Sequence, residues 1–412
     1  MKLAKCLLTA TCHMALWLAV ADAKGEVTFT TLFSFAGTNG IDPEGKMVQG
    51  SDGSFYGTTR DTTATEGANY GFSSYGHGTI FKITPTGNLT TLVTFGGTNG
   101  ANPRAGLVIG SDRAFYGTTA GGGTRRFGTV FRMTTNGAFT SLASFDGTNG
   151  AYPLAVLVED TNGDFYGTAA FGGVRKRGVP SNVVSGTGWF DYGAVFKISP
   201  GGTLTTLVLF GGTNGGNPYK GLVHSVDGNF YGTTIHDGTN DFGTVFKVTA
   251  HGELSTLAFF SGTNGNGPGD LTFGKDGCLY GTTAIGGGLY DGGYFSGCGT
   301  VFRLTTDGTL TTLVSFNGVN GKCPEGLVFG NDGNLYGTTS EGGALNKGTI
   351  FRMTTNGTHT TLYSFTEGDD SGRTHATLTQ GTDGSFYGTS TMRGRYHCGS
   401  IFHLTITPTS RR

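Results

Sequence analysis

The sequence predicts an all-β fold: a seven-bladed β-propeller of four-stranded antiparallel blades, closed by the N-terminal strand completing the last blade. Three observations lead to this prediction. Each repeat holds four short runs rich in Val, Phe, Thr and Leu, separated by turn residues. The chain also begins and ends on incomplete parts of the repeat. The motif FYGTT, or a close variant, returns seven times, at Phe55, Phe115, Phe165, Phe230, Leu279, Leu335 and Phe386.

The composition is that of a folded chain, in spite of its glycine content. Of 412 residues, 77 are Gly, and such enrichment over the usual value of about 7% is common in low-complexity disordered chains. However, 31 Phe and 16 Tyr supply apolar surface to bury, and the glycines recur at fixed places in the repeat. Charged residues make up 13% and the formal net charge is −1, so we predict no nucleic-acid partner.

The four runs of each repeat read GLVxG, xFYGTT, GTVFKxT and xLTTLxxF, in that order. An Asp-Gly pair joining two strands predicts a type I′ hairpin, in which both central residues have positive φ. A glycine also separates the third run from the fourth, and no long stretch has helical periodicity. Each repeat is therefore predicted to be an antiparallel meander. The Asp-Gly pairs between the first two runs begin at Asp52, Asp227, Asp276, Asp332 and Asp383.

The two ends of the chain predict how the repeats are arranged. A lone meander cannot cover both of its apolar faces, whereas radial stacking of repeats can. The segment Val27–Phe35 matches a fourth strand, and the last repeat stops after Gly399–Ile406 without one. We therefore expect one propeller domain over residues 24–412, without a free sheet edge, as a monomer. A linear β-solenoid is the alternative, but it would not need a divided repeat.

Residues 1–23 are predicted to be a secretory signal peptide. Lys2 and Lys5 form a positive start, Cys6–Val20 is apolar, and Ala21–Ala23 fits an A-x-A cleavage site. An uncleaved anchor or a lipid-modified Cys12 is the alternative. We expect a secreted, extracytoplasmic protein without a membrane span in the mature chain.

One connection in the repeat varies far more in length than the others, and it predicts the binding face. From the Tyr of FYGTT to the Phe of GTVF, copy two runs from Tyr116 to Phe131, whereas copy three runs from Tyr166 to Phe196. In an antiparallel blade, this connection between the second and third strands lies on the same side as the link to the next blade. Insertions gathered on one face of a repeat protein usually mark where it binds its ligand.

Ten residues of this face are the candidate ligand-binding residues. Some are aromatic or basic residues of the inserted segments, some depart from the repeat at the end of FYGTT, and two lie at the entry to the innermost strand. The alternative is structural, because such aromatics can hold their own loops and such charges can be solvated. The candidates are Arg60, Tyr75, His77, Trp189, Tyr192, His236, Asp237, Tyr294, Arg373 and His375. Other entry residues expected around the channel mouth are Glu44, Lys46, Arg104, Tyr219, Lys220, Asp270 and Glu325.

We predict neither a metal site nor a cofactor. The cysteines that follow the predicted cleavage site have no metal-site spacing, although Cys298 and Cys323 both belong to the variable face and could pair. Asp160–Asp164 resembles half of a calcium loop, but it occupies a hairpin-turn position of the repeat. No nucleophile-elbow, zinc-protease, P-loop or dinucleotide motif occurs in the sequence.

The repeat LxxFxGTNGxxPxxGLVxGxDGxFYGTTxxGGxxxxGTVFKxTxxG resembles the gloeo/verruco (GloVer) tandem repeat of extracytoplasmic bacterial proteins. GTNG, FYGTT and GT[VI]F recur in that order over nearly the whole chain. The resemblance implies export and a repeat architecture, and it implies no particular activity.

Two functions are favoured by the sequence, and a structural surface protein is the remaining alternative. The first is a secreted propeller that binds a carbohydrate or protein ligand, such as a polysaccharide or a surface protein, on the face with the long loops. The second is a secreted polysaccharide-acting enzyme, a lyase or glycoside hydrolase, using His, Tyr and Arg residues of the same face. A lyase needs a base and a cation that neutralises a uronate. No sequence spacing shows that such groups converge, so whether the protein is an enzyme stays open here.

Overall fold

The computed structural model describes residues 26–62, 77–176, 191–366, 374–391 and 395–407. Within these ranges the regular structure is entirely β, with no helix. The strands form seven four-stranded antiparallel sheets, each a meander. This confirms the predicted seven-bladed propeller.

The strands of blades one to three are β2 (Val48–Gln49), β3 (Phe55–Thr59), β4 (Thr79–Ile83), β5 (Leu89–Thr94), β6 (Val108–Ile109), β7 (Phe115–Thr119), β8 (Thr129–Met133), β9 (Phe139–Ser144), β10 (Val158–Glu159), β11 (Phe165–Ala169), β12 (Ala194–Ile198) and β13 (Leu204–Leu209). Those of blades four and five are β14 (Val223–His224), β15 (Phe230–Thr234), β16 (Thr244–Val248), β17 (Leu254–Phe259), β18 (Asn266–Phe273), β19 (Leu279–Ile285), β20 (Thr300–Leu304) and β21 (Leu310–Ser315). Those of blades six and seven are β22 (Lys322–Phe329), β23 (Leu335–Glu341), β24 (Thr349–Met353), β25 (His359–Ser364), β26 (Thr379–Gln380), β27 (Phe386–Ser390), β28 (Ser400–Thr407) and β1 (Glu26–Ser34).

The N-terminal strand closes the ring as predicted. β1 is the outermost strand of blade seven and pairs with β28, from Glu26 opposite Thr407 to Ser34 opposite Ser400. The backbone N–H of Phe35 then donates to the carbonyl of Gly399 at 2.9 Å. The two ends of the chain therefore share one sheet.

The Phe-Tyr pair of FYGTT forms the contact between neighbouring blades. The ring of Tyr56 packs against that of Phe115 in the next blade, with centroids 4.3 Å apart. The pair Tyr387 and Phe55, at 4.0 Å, makes the same contact between blades seven and one. These rings are buried in clusters that each join two blades, so the hydrophobic core lies between the blades.

In blades five and six the motif reads LYGTT, and a Phe of the first strand makes the contact that the Phe of FYGTT makes elsewhere. Tyr231 contacts Phe273 and Tyr280 contacts Phe329, in each pair with centroids 5.5 Å apart. These Phe residues end β18 and β22, which have eight residues each where the first strand of the other blades has two. A Tyr–Phe contact is thus present at every junction between blades.

The hairpin between the first two strands is not the predicted type I′ turn. In blade one, Gly53 has a φ of 78° but Asp52 does not have a positive φ. Gly53 N–H donates to the carbonyl of Gly50 at 3.0 Å, which gives a three-residue loop that ends in a left-handed residue. The Asp52 carboxylate accepts hydrogen bonds from Ser54 N–H at 3.1 Å and the Tyr56 hydroxyl at 3.0 Å. The Asp is therefore required for its side chain rather than for its backbone conformation.

The motifs GTNG, FYGTT and GT[VI]F, or their close variants, meet at one place in each of blades one to six. In blade two the hydroxyls of Thr119 and Thr129 hydrogen-bond at 2.8 Å, and a Cβ on Gly100 would lie 2.7 Å from Thr119. A Cβ on Gly128 would lie 2.3 Å from the Thr119 carbonyl and 2.7 Å from Pro153 of the next blade. These contacts are too short for any side chain, so one packed joint explains why the three motifs recur together.

One strand position carries a histidine where other blades carry an apolar residue. His359 lies opposite Met353, at the position of Leu89 in blade one, and its ring packs on Phe316 and Phe351 at 5.6 and 5.1 Å. Its buried Nε2 has no hydrogen-bond partner among the described residues. Burial lowers the pKa of His359 to about 4.

We expect His359→Leu to stabilise the protein, and most strongly at acid pH. Because the folded-state pKa lies below the ordinary value of about 6.5, wild-type stability is complete above that pH and falls as the pH drops towards 4. The gain of the variant over wild type should grow by about 1–2 kcal/mol between pH 7.5 and 5. Urea unfolding at both pH values measures it. His251→Leu, at an exposed turn, is the control, and an equal change in both variants would contradict the prediction.

Candidate binding site on the loop face

The connections between second and third strands begin on one face of the propeller in blades one to four. In blades one to four, the link that enters each blade forms backbone bridges with the end of the second strand, for example Ile41 with Asp61 and Gly216 with His236. The connection therefore starts beside the link, as predicted. We call this side the loop face. Segments 63–76 and 177–190 of two of these connections lie outside the described residues.

Charged side chains from six blades converge at the centre of the loop face. Lys220 of blade four has its Nζ 3.8 Å from Glu325 of blade six and 4.0 Å from Asp270 of blade five. Nδ1 of His375 lies 3.2 Å from Glu325. Contact between blades four and six, which are not neighbours in the ring, requires that these groups lie at the axis. With Arg104, whose Nε is 3.7 Å from Glu44, they form the axial network: Glu44, Arg104, Lys220, Asp270, Glu325 and His375.

Carboxylates of the axial network favour the charged forms of Lys220 and His375. Desolvation lowers the pKa of Lys220, but the charges of Asp270 and Glu325 outweigh it, and the net shift is upward. Desolvation also lowers the pKa of His375. The hydrogen bond and the charge of Glu325 raise this pKa by more, so the net shift is again upward. A ligand at the axis would therefore meet both carboxylates and cations.

Arg60 is tied into this region by ion pairs. Its guanidinium donates to Asp42 at 2.5 Å and to Glu44 at 2.8 Å. Asp42 is 3% exposed. Because a buried carboxylate is costly without a partner, Asp42 needs a nearby cation. Arg60 is thus a structural residue of the first link, and it also borders the axial network through Glu44.

An aromatic wall borders the charged groups on the side of blades two to four. The rings of Tyr152, Phe171 and Tyr219 form a chain of edge-to-face contacts, with centroids 5.7 Å apart in both steps. Burial raises the pKa of Tyr219, and the charge of Arg104 acts in the opposite sense. Apolar ring surface and the charged groups of the axis are therefore adjacent.

A second group of polar and aromatic residues lies where blades four and five meet. Nδ1 of His236 and the hydroxyl of Tyr294 are 2.6 Å apart, and the ring of Tyr294 stacks on Phe242 with centroids 5.6 Å apart. Burial, together with the charge of Lys176, lowers the pKa of His236. Burial, together with nearby carboxylates, raises the pKa of Tyr294 to about 12. Both shifts favour the neutral forms of the imidazole and the phenol, which share this short hydrogen bond.

Lys176 joins this group to blade three. Its Nζ lies 3.0 Å from Asp237 Oδ2, 3.1 Å from Asn217 Oδ1 and 5.2 Å from the centre of the Tyr192 ring. The Tyr192 ring covers the GTNG turn, since a Cβ on Gly212 would be 2.8 Å from it. Tyr192 therefore has a structural role whether or not it also meets a ligand. We call these six residues the blade 3–5 cluster: Lys176, Tyr192, Asn217, His236, Asp237 and Tyr294.

The structure brings most of the predicted residues into two groups. Tyr192, His236, Asp237 and Tyr294 belong to the blade 3–5 cluster, while His375 belongs to the axial network and Arg60 borders it. His77 is apart from both: it is exposed, and its ring lies against the turn at Gly97. Tyr75, Trp189 and Arg373 lie outside the described residues, so their predicted roles stay predictions.

Sequence reasoning missed Lys176 and Asn217. Lys176 lies in the same insertion as Trp189, but only aromatic residues of that insertion were predicted to bind a ligand. Asn217 precedes a Pro of the repeat, and its amide donates to the carbonyls of Ala170 and Asp191, both at 3.0 Å. A basic residue in a long insertion was the available signal for Lys176, whereas nothing distinguished Asn217.

Two kinds of feature are absent from the described part of the chain. In those ranges no three His, Cys, Asp or Glu side chains are grouped closely enough to hold a metal ion. Nor do the same ranges contain a helix long and apolar enough to cross a membrane.

The chain matches the family described as Gloeobacter/Verrucomicrobia repeat over residues 20–180 and 178–402. None of the curated proteins matches it.

Solved structures share its architecture at low identity. The extracellular domain of a candidate one-component system from B. thetaiotaomicron has a TM-score of 0.56 at 12% identity, with 94% of this chain and 44% of that chain covered. A candidate 6-phosphogluconolactonase from Bacteroides uniformis has a TM-score of 0.50 at 15% identity, with 77% and 83% covered. A gluconolactonase from Xanthomonas campestris has a TM-score of 0.45 at 15% identity, with 79% and 90% covered. At these identities the likeness extends to the fold alone.

Proposed function

The chain belongs to the Gloeobacter/Verrucomicrobia repeat family, and from that premise we propose that it is an exported, non-catalytic propeller that binds carbohydrate on its loop face. The blade 3–5 cluster is the observation that carries the proposal. Half-buried aromatic rings there lie next to an imidazole, an amine and a carboxylate. Such rings offer flat apolar area to a sugar, and the neighbouring polar groups can bond its hydroxyls.

The cluster is also organised before any ligand arrives. The pair formed by His236 and Tyr294 is fixed by the hydrogen bond from Asn266 Nδ2 to the Tyr294 carbonyl, at 2.6 Å. Asp237 is held by Lys176 and by the bond from its own N–H to Asp241 at 2.9 Å. Groups that are already oriented lose less conformational entropy on binding. This favours a binding site over a surface of unrelated polar residues.

Export is part of the same proposal, and it rests on the N-terminal pattern. Residues 1–23 have the charged start, apolar stretch and small-residue cleavage site of a signal peptide. Cell fractionation followed by N-terminal sequencing would test it. A protein retained in the cytoplasm with an intact N-terminus would contradict this part of the proposal and leave the binding test untouched.

We expect Tyr294→Ala to weaken carbohydrate binding by at least about tenfold, which is about 1.4 kcal/mol, because it removes both a ring face and the partner of His236. A screen of immobilised polysaccharides with purified protein would find the ligand, and calorimetry would measure the affinities. Tyr294→Phe keeps the ring and removes only the hydroxyl, so it should have a smaller effect. Trp189→Ala should also weaken binding without a large change in thermal stability.

Val226→Ala is the control for this experiment, since Val226 is fully exposed on the opposite face. Equal affinities of Tyr294→Ala and Val226→Ala would rule out the blade 3–5 cluster as the site. If Trp189→Ala unfolds the protein instead, the indole is structural. If the protein binds no glycan in the screen but binds a surface protein, the proposed ligand is a protein and not a carbohydrate.

The axial network supports a second candidate, a polysaccharide-acting enzyme. A lyase would use one nitrogen of the neutral His375 imidazole as the base while Glu325 accepts a hydrogen bond from the other, and Lys220 or Arg104 could neutralise the substrate carboxylate. Incubation with uronate polymers would test this through the ultraviolet absorbance of an unsaturated product. Product formed by wild type and absent with a folded His375→Ala variant would favour the enzyme. If wild type forms no product, the binding function is favoured.

A further inference from the structure

Among the described residues, six of the seven joints between neighbouring blades contain two backbone positions that face each other. The first is the residue before the Gly of GT[VI]F, and the second is the residue before the Pro of the next link. The backbone N–H of the second donates to the carbonyl of the first at 2.9 Å for His77 and Asn102, and at 2.8 Å for Phe127 and Tyr152. Residues joined by such a bond in antiparallel pairs have Cα atoms about 5.5 Å apart, within the range of about 4.4–6.8 Å that disulfides span.

The side chains at these two positions interact as well. The rings of Phe127 and Tyr152 are in edge-to-face contact, with centroids 6.2 Å apart. Where blade seven meets blade one, the carboxylate of Asp42 is close enough to the Cys398 thiol to add to the upward effect of burial on its pKa. Residues at the two positions therefore point towards each other rather than in opposite directions.

At the joint between blades five and six both positions are cysteine. Cys323 N–H donates to the carbonyl of Cys298 at 3.0 Å, and both residues are partly buried. The side chain of Cys298 packs with the apolar residues of the same joint. We propose that Cys298 and Cys323 form a disulfide that locks blade five to blade six when the protein meets an oxidising dithiol–disulfide couple.

The reaction is a two-step thiol–disulfide exchange. The thiolate of one cysteine attacks oxidised glutathione, and one glutathione thiolate leaves. The second cysteine, once deprotonated, attacks the mixed disulfide and releases the second glutathione. In sum, two cysteine thiols are oxidised to one disulfide and one oxidised glutathione is reduced to two thiols. Burial raises the pKa of Cys323 to about 12, so uncatalysed formation should be slow at pH 7 and faster at pH 9.

This bond would join the two groups of loop-face residues. Cys298 ends the connection that carries Tyr294, and Cys323 is followed by Pro324 and then Glu325 of the axial network. The disulfide would thus fix the spacing between the blade 3–5 cluster and the axis. The inference concerns thiol chemistry and does not depend on the identity of any ligand.

The test is a disulfide map of the full chain. Purified protein is treated with oxidised glutathione at pH 9, unfolded, alkylated and digested, and the peptides are analysed with and without reduction. We expect one linked pair of peptides, containing Cys298 and Cys323, with a mass lower by two hydrogen atoms than the sum of the free peptides. Cys278 and Cys398, which are buried in different parts of the ring, should be found alkylated.

Thermal unfolding supplies an independent readout. Because the bond closes a loop of 26 residues (323 − 298 + 1), reduction should lower the Tm of the oxidised protein by about 5 °C. The Cys298→Ser variant should lose this shift, and Cys278→Ser should keep it. The proposal is overturned if oxidised wild type retains Cys298 and Cys323 as free thiols, if another pairing dominates, or if reduction leaves its Tm unchanged.

Discussion

Deletion of residues 26–35 is expected to abolish the cooperative fold. β28 would lose its outer neighbour β1 along its whole length. Blade seven would also lose the ring of Phe29, which stacks on Tyr363 with centroids 4.4 Å apart. Phe35, which is fully buried, would leave a cavity between blades seven and one. Without β1 the outer edge of β28 is exposed, and the joint between blades seven and one loses part of its apolar packing.

The experiment compares the truncated protein with the full chain by circular dichroism and thermal unfolding. A synthetic peptide of residues 26–35 should restore a cooperative transition when it is added to the truncated protein, because it can pair with β28 in trans. The graded version is Phe35→Ala, with an expected loss of about 3–5 kcal/mol. Thr28→Ala, at an exposed position of the same strand, is the control. A truncated protein that unfolds cooperatively near the wild-type Tm would refute the closure argument.

Gly128→Ala is expected to destabilise the protein by about 3–5 kcal/mol, or to prevent folding. Gly128 has a φ of 106°, and an added Cβ would lie 2.3 Å from the carbonyl oxygen of Thr119 and 2.7 Å from Pro153. Since a backbone carbonyl and a proline ring lie on either side, no side-chain rotation can relieve the contact. The joint between blades two and three would have to open.

Gly228→Ala is the matched control. Gly228 also has a positive φ, 76°, but a Cβ there would meet nothing within 4 Å. It should cost only about 1 kcal/mol, the penalty of the left-handed conformation alone. Urea unfolding of both variants separates steric contact from backbone preference. If the two losses agree within 1 kcal/mol, the packed joint does not explain why GT[VI]F begins with glycine.

Repetition made the fold accessible from sequence. Seven copies of the same strand-and-turn pattern average out the ambiguity of any single short strand, and the divided repeat at Val27–Phe35 revealed closure. The predicted turn type was wrong because Asp52 accepts two hydrogen bonds through its side chain. The sequence pair Asp-Gly does not show whether Asp is needed for such bonds or for a positive φ. The exchange of Phe from FYGTT to Phe273 and Phe329 likewise became visible only once neighbouring blades were in contact.

The candidate site was predictable as a face and only partly as a set of residues. The variable connections indicated the loop face, and the deviations from the repeat at His236 and Asp237 were visible in the sequence. Which groups touch was not visible: Lys220 and Glu325 lie two blades apart in the chain and meet only because the ring closes. Lys176 reaches Asp237 across the joint between blades three and four for the same reason.

The repeat, its strands, the number of blades and the variable face could be predicted from the order of the amino acids, because they depend on local pattern and on the period of the chain. The pairing of charges, the aromatic rings that cover turns, and the cysteines that lie opposite each other became known from the folded chain. Those contacts join residues of different blades, and their distances depend on the curvature of the closed ring, which no single repeat encodes.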